Sequence, residues 1–276
     1  MRSLITFSII LLAAMTVTSQ SAIRRVDFKN FTYPATCASD ESENVTVEDG
    51  EYSYEKEEDG YVDRFYFKVY APEYGDLTGD GVEEAVIIAV CNTGGTGNFT
   101  EGYVFGVRNG KPELIARFPG GDRANGGLRS AKVVNRQLVI ESNDTGEWGG
   151  ACCPEYIVTS KYRLSGKNLI RIGIPSRREI YPVERVTFAR GTSGKTFTVT
   201  IPGDEGKRFV VGARAGQELV VSVSSDDASL MLLDDASVTH GINNFLARLT
   251  KNGDHTIQVQ NNTDKPLTIT VNIRIQ

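Results

Sequence analysis

Apolar residues in this chain recur at every second position and almost never at helical spacing. A period of two puts alternate side chains on opposite faces of an extended strand, so the pattern commits the chain to sheets. Phe65, Phe67 and Val69 alternate with Arg64, Tyr66 and Lys68, as a half-buried strand requires. Val86 to Val90 is a continuous apolar run, the pattern of a strand covered on both faces. Gly102 to Val107 leads into Asn109-Gly110, and Glu113 to Phe118 supplies the return strand. Asn-Gly is the dipeptide that a tight hairpin turn favours. Val133 to Ile140, Tyr156 to Leu164 and Leu169 to Ile174 read as further strands, the last two joined by a turn at Ser165-Gly166-Lys167-Asn168.

Pro175, Pro182 and the basic pair Arg177-Arg178 mark a change of composition, which places a domain boundary near residue 180. Beyond it the alternation sharpens. Phe197, Val199 and Ile201 share a face, as do Phe209, Val211 and Ala213, then Leu219, Val221 and Val223. Leu230 and Leu232, Ala247 and Leu249, Ile257 and Val259, and Leu267 to Ile275 continue it, with turns at Pro202-Gly203, Ala215-Gly216 and Asn252-Gly253. About eight short strands at this spacing predict a β-sandwich. The expected fold is therefore mostly β: a disulfide-stapled antiparallel β domain over residues 23–180, followed by a jelly-roll-like β-sandwich over 184–276.

Residues 1–21 read as a signal peptide, with Arg2 before the apolar run Leu4 to Met15 and small residues from Thr18 to Ala22. The apolar run is too short to favour a membrane span, so a secreted or periplasmic product without a stable membrane anchor is expected. In that setting the even set Cys37, Cys91, Cys152 and Cys153 predicts two disulfides with three connectivities. The preferred arrangement pairs Cys152 and Cys153 separately with Cys37 and Cys91. Net charge is -5 with acids and bases interspersed, and no basic stripe points to nucleic acid. The acidic cluster between Asp40 and Asp59 reads as a solvated loop and hairpin.

One run points to a specific ligand: Asp76-Leu77-Thr78-Gly79-Asp80-Gly81-Val82-Glu83-Glu84. Oxygens from Asp76, Thr78, Asp80, the Val82 carbonyl and Glu84 in one tight loop suit a hard cation, so a structural Ca²⁺ is expected there. The glycine-rich stretch Cys91 to Asn98 lies between strands and lacks the helix N-terminus of a phosphate loop. In Pro119 to Gly127, Asp122 and Arg123 either orient a sugar or peptide or form a turn-stabilising ion pair. Trp148, the single tryptophan, either stacks on a sugar ring or caps the disulfide region. A protein or glycan is the partner these residues suit.

Catalytic machinery is not expected. The two histidines, His240 and His255, both lie in the second domain, and no GxSxG elbow is present. His255 falls in the alternation of Ile257 and Val259 and reads as a satisfied core or edge residue.

The Asp76–Glu84 loop resembles the short calcium loops of FG-GAP and related β-repeats, present here once. Residues 184–276 resemble the bacterial pre-peptidase C-terminal type of β-sandwich. The resemblance rests on Arg185-Val186-Thr187-Phe188-Ala189-Arg190-Gly191, Arg208 to Gln217 and Asn252 to Val259, with His255 where that family carries an aromatic. The "F-A-x-G" and "A-G-Q" segments also resemble those of periplasmic inhibitors of invertebrate-type lysozyme. That likeness implies a lysozyme partner and an inhibitory loop at Ser193-Gly194, with Phe197 in place of the tyrosine of the SGxxY pattern of other lysozyme inhibitors. Alternation nevertheless puts Phe197 on the core face. Residues 23–180 resemble secreted bacterial proteins through Asp27 to Pro34, Gly75 to Gly81, Gly94 to Phe99 and Gly150 to Glu155, which implies a bacterial, exported product.

Overall fold

Twenty-one strands and one 3-10 turn, with no α-helix, make up the regular structure of the described residues. The computed structural model describes residues 22–35, 43–58, 60–147, 150, 153–234 and 238–276. The predicted signal segment 1–21, Cys37, Trp148 and Cys152 lie outside the described residues.

The 3-10 turn Ala22–Arg25 precedes a two-stranded hairpin of β1 (Thr32–Ala35) and β2 (Glu43–Thr46). Next comes a six-stranded sheet of β3 (Glu51–Glu58), β4 (Tyr61–Val69), β5 (Glu73–Gly75), β6 (Glu84–Asn92), β7 (Phe99–Arg108) and β8 (Lys111–Asp122). Its order is β3-β4-β6-β7-β8, with β5 also paired to β6. Residues Ala85 to Ala89 of β6 are all buried, because layers cover both faces of the sheet at that strand. On one face Phe67, Ile87, Tyr103 and Phe105 pack against Ile23, Phe28, Tyr33 and Val45. On the other, Val86, Val104 and Phe118 meet Ala131, Leu138 and Ile140. The expected turn between β7 and β8 forms, with Asn109 and Gly110 at φ 51° and 75° and Arg108 opposite Lys111, the left-handed pair of a type I′ hairpin.

The second covering layer is a four-stranded sheet of β9 (Leu128–Val134), β10 (Gln137–Asp144), β11 (Tyr156–Ser165) and β12 (Asn168–Glu179), in the order β12-β11-β10-β9. The single strand expected over Val133 to Ile140 is instead two strands of a hairpin. Asn135 and Arg136 turn the chain at φ 50° and 61°. Asparagine tolerates that conformation, and the apolar residues on either side hide the turn from a periodicity reading. The Pro119–Gly127 stretch is also shorter as a loop than expected, because β8 runs on to Asp122. A Cβ on Gly121 would meet the Asn125 carbonyl oxygen at 2.0 Å, so only glycine lets the two arms of that loop close.

The remaining strands are β13 (Val183–Arg185), β14 (Gly194–Ile201), β15 (Gly206–Ala213), β16 (Glu218–Val223), β17 (Ala228–Leu232), β18 (Val238–His240), β19 (Asn244–Arg248), β20 (Gly253–Asn261) and β21 (Leu267–Ile275). They form two sheets, β13-β15-β20-β17 and β14-β21-β16-β19-β18, antiparallel except for the β13–β15 pair. The sets read from alternation, including Phe209, Val211, Leu219, Val221, Ile257 and Val271, fill one cluster between them. Phe197 packs on that cluster, edge-to-face with Phe209 at 5.0 Å. His255 is fully buried, but only half satisfied: Nε2 lies 3.2 Å from the Lys251 carbonyl and Nδ1 has no partner among the described residues.

Arg178 grips Glu205 with two bonds of 2.6 and 2.7 Å, and Arg208 grips Glu155 at 2.8 and 3.0 Å. The two forks run in opposite directions and join the β9–β12 sheet to the β15 region.

Candidate functional site

Alternation along β4 creates a surface as well as a core. Phe65, Phe67 and Val69 turn toward the first core cluster. Arg64, Tyr66 and Lys68 take the other face, as period two dictates. The β9–β12 sheet covers that other face over β6, β7 and β8 and stops short of β4. The uncovered strip is floored by Tyr66, Lys68, Tyr70 and Val90 and walled by Asn98 and Arg123, enclosing a cavity of 380 Å³. Tyr66 and Asn98 also border a depression of 600 Å³ beside the β3–β4 hairpin. Tyr70 and Leu128 border one of 640 Å³ that runs to Asp204, Glu205 and Asp264. The 380 Å³ trough shares Tyr66 and Asn98 with the second depression and Tyr70 and Leu128 with the third.

Two loops hold the trough open. The Asn92 side-chain amide donates to the carbonyls of Gly95 and Gly97 at 3.0 and 2.7 Å, and its oxygen accepts the Gly94 N–H at 2.7 Å. Asp122 Oδ1 accepts the N–H groups of Asn98 and Arg123, both at 2.8 Å. Asn143 donates its side-chain amide to the Arg123 carbonyl. Asp122 is thus a backbone clamp between two loops, and the ion pair with Arg123 does not form: the carboxylate is occupied by N–H donors. Arg123 is left on the trough wall, exposed and without an ion pair among the described residues. Asn92 and Asn98 lie in the glycine-rich stretch singled out in the sequence, whereas Tyr70, one residue past the end of β4, is not singled out there.

The one cation of the trough floor, Lys68, is paired with an acid, and the neighbouring depression is lined by Glu73, Glu141, Asp204, Glu205 and Asp264. Lys68 bonds Glu51 at 2.7 Å, which raises the ammonium's pKa and lowers the carboxylate's. Burial pushes the Tyr66 phenol up, so it remains a hydroxyl able to donate and accept.

The Asp76–Glu84 loop closes on itself. Asp76 accepts the N–H groups of Gly79 and Gly81 at 2.6 and 3.1 Å, and Asp80 that of Val82 at 2.8 Å. Glu84 is 4% exposed and accepts from Leu77 and Thr78 N–H at 2.8 and 3.1 Å. Thr78 Oγ1 lies 3.4 Å from the same carboxylate. Burial raises the Glu84 pKa first, the amide bonds of Leu77 and Thr78 lower it, and the charges of Asp80 and Asp76 raise it further. Among the described residues no group of three or more His, Cys, Asp or Glu side chains is disposed to hold a metal ion. The loop supplies oxygens, but they face its own amides rather than a common point.

Ser193 is the exposed last residue of the segment 186–193 that leads into β14, and Gly194 is the first residue of that strand. Gly194 opens β14, an edge strand, and the Ser193 carbonyl accepts the N–H of Ile275 at 2.8 Å. Cys91 and Cys153 are both disulfide-bonded, and no cysteine among the described residues is free.

No family model and no curated protein match the chain. Among solved structures, the periplasmic inhibitor of g-type lysozyme PliG from Aeromonas hydrophila is similar at 18% identity over 35% of this chain and 97% of its own, with TM-score 0.31. PliG from Salmonella Typhimurium is similar at 20% identity over 34% and 98%, with TM-score 0.30. An exo-β-1,3-galactanase from Phanerochaete chrysosporium aligns over 82% of this chain and 68% of its own at 10% identity and TM-score 0.20. At these scores the likeness supports no statement about the site. No helix among the described residues is long and apolar enough to cross a membrane.

Proposed function

We propose that the chain is an exported, non-catalytic binding protein whose ligand surface is the trough over β4, and that the ligand is an extended glycan. The observation that supports this reading is the row of Tyr66, Lys68 and Tyr70 left uncovered beside Arg123, Asn98 and Asn143. Tyrosine faces suit the apolar face of a sugar ring, amides and hydroxyls suit its hydroxyl groups, and an unpaired guanidinium suits a carboxylate on an acidic sugar. A groove walled by loops on a rigid sheet is the usual setting for such contacts. Titration calorimetry against soluble cell-wall glycans tests it. Binding should weaken about tenfold in Tyr70→Ala and in Arg123→Ala, as loss of a stacking ring or a charged hydrogen bond implies. Equal affinity of both variants and the parent would remove the trough from the proposal.

Disulfides at Cys91 and Cys153 would staple the loops bordering the sheet, in keeping with an oxidising, periplasmic or secreted location. Calcium enters only as a support for the Asp76–Glu84 loop. Its basis is the spacing of oxygen side chains at Asp76, Thr78, Asp80 and Glu84 along one tight loop. Thermal unfolding in EDTA and in millimolar calcium tests this: a rise in melting temperature that disappears in Asp80→Ala supports the ion, and superimposable curves dismiss it.

Inhibition of a lysozyme is the second reading, and it draws on what the PliG neighbours are named for. A turbidimetric assay of g-type and invertebrate-type lysozymes against the full chain tests it: no inhibition at micromolar concentration would dismiss it.

A further inference from the structure

The outward rows of the β9–β12 sheet mix cations with aliphatic side chains. Lys132 stands beside Val139, Val139 beside Lys161, and Lys161 beside Ile172 in one cross-strand row. Arg163 stands opposite Ile170, on the same face because it lies two residues from Lys161. Lys132, Lys161 and Arg163 are exposed and form no ion pair among the described residues. The acid of the neighbouring row, Glu141, is engaged by Ser130 Oγ at 3.1 Å and faces Arg178 at 3.9 Å. In a chain of net charge -5 this face is a local reversal of sign.

The aliphatic part is equally specific. β12 is the free edge of its sheet, and its register with β11 shifts between Thr159 and Lys161. Gly173 sits there at φ 69°, a bulge that re-aims the next side chain. Ile174 emerges from it 96% exposed, with Ile170 of the same strand at 41%. An isoleucine held wholly in water forfeits its transfer free energy, and strands usually blunt a free edge with charge rather than with an aliphatic tip.

We propose that this face docks the protein reversibly on an anionic lipid surface, with Lys132, Lys161 and Arg163 on the headgroups and Ile174 entering the acyl boundary. Cations flanking protruding aliphatics are the chemistry of interfacial attachment. A nucleic-acid phosphate backbone would use the cations and give Ile174 nothing to enter. The attachment is independent of the trough and of its ligand.

The test is co-sedimentation of residues 22–276 with extruded vesicles. All three core clusters lie within that span, and its use removes the apolar N-terminal run as a competing anchor. Vesicles are phosphatidylcholine alone, or phosphatidylcholine with about a third phosphatidylglycerol. Binding is expected on the anionic vesicles only, with the partition coefficient falling at least about tenfold in Lys161→Glu/Arg163→Glu. In Ile174→Ser it should fall several-fold while low-salt capture on heparin is unchanged. Thermal unfolding confirms that the variants are folded. No binding to anionic vesicles at low salt overturns the proposal. So does binding that Ile174→Ser leaves intact, which would mean attachment by charge alone with no side chain entering the acyl boundary.

Discussion

Glu84 shows how one residue can be costly by staying charged. It is buried, has no basic partner among the described residues, and its carboxyl pKa is raised chiefly by burial. A raised folded-state value means the folded protein holds the proton more tightly than the unfolded chain. The group therefore favours folding below the ordinary glutamate value of 4.5, and that contribution is lost as pH rises through the raised value. Glu84→Gln keeps an oxygen for the Leu77 and Thr78 amides and removes the buried charge. In EDTA at about pH 7 the variant should melt higher than the parent, and its advantage should vanish below the ordinary glutamate range. A variant that melts lower at neutral pH would mean that the amide bonds outweigh the burial. The sequence reads Glu84 as the last residue of the loop; the structure makes it the first residue of β6 and buries it, which depends on the strands that close over it. Asp122 teaches the same point: its neighbour in sequence is a cation, yet the N–H groups of Asn98 and Arg123 occupy it.

At the scale of elements, faces were legible and coverage was not. The alternation in β4, β14, β15, β16, β20 and β21 names the buried side of each strand, because period two is a local property of an extended chain. Where a strand ends inside an apolar run, as at Asn135-Arg136, alternation alone missed the turn. Glycines mark close approaches that sequence does not rank. Gly102 pairs with Phe118 across β7 and β8, and a Cβ there would lie 2.0 Å from the Phe118 ring. Gly102→Ala should therefore destabilise by about 1–3 kcal/mol, the usual range for overpacking a filled core. Urea denaturation reads it out, and a change within experimental scatter of zero would show that the ring can swing aside.

For the whole molecule, the reciprocal forks Arg178–Glu205 and Arg208–Glu155 matter more than surface pairs of the same chemistry. Glu205 is nearly buried, and both forks are bidentate, the geometry in which an ion pair resists rearrangement. They couple the core between β13–β21 to the layers before it. Removing both carboxylates in Glu155→Ala/Glu205→Ala leaves each guanidinium without its own partner, at a cost of about 1–3 kcal/mol after allowance for the partly exposed arginines. Calorimetry should resolve two unfolding transitions in that variant where the parent shows one. The same number of transitions in both proteins would mean that the forks do not carry the coupling.

By itself the sequence determined that this chain is built of strands, which side of most of them is apolar, and that a tight oxygen-rich loop precedes β6. These are properties of neighbouring residues, set by backbone period and turn chemistry. Only the tertiary structure decided that β9–β12 cover β6 to β8 and leave Tyr66, Lys68 and Tyr70 open. It likewise gathered Lys132, Lys161 and Arg163, scattered over two strands, onto one face. Both depend on which distant strands pair and how far one sheet reaches across another, and strand pairing is a relation between segments that no local pattern records.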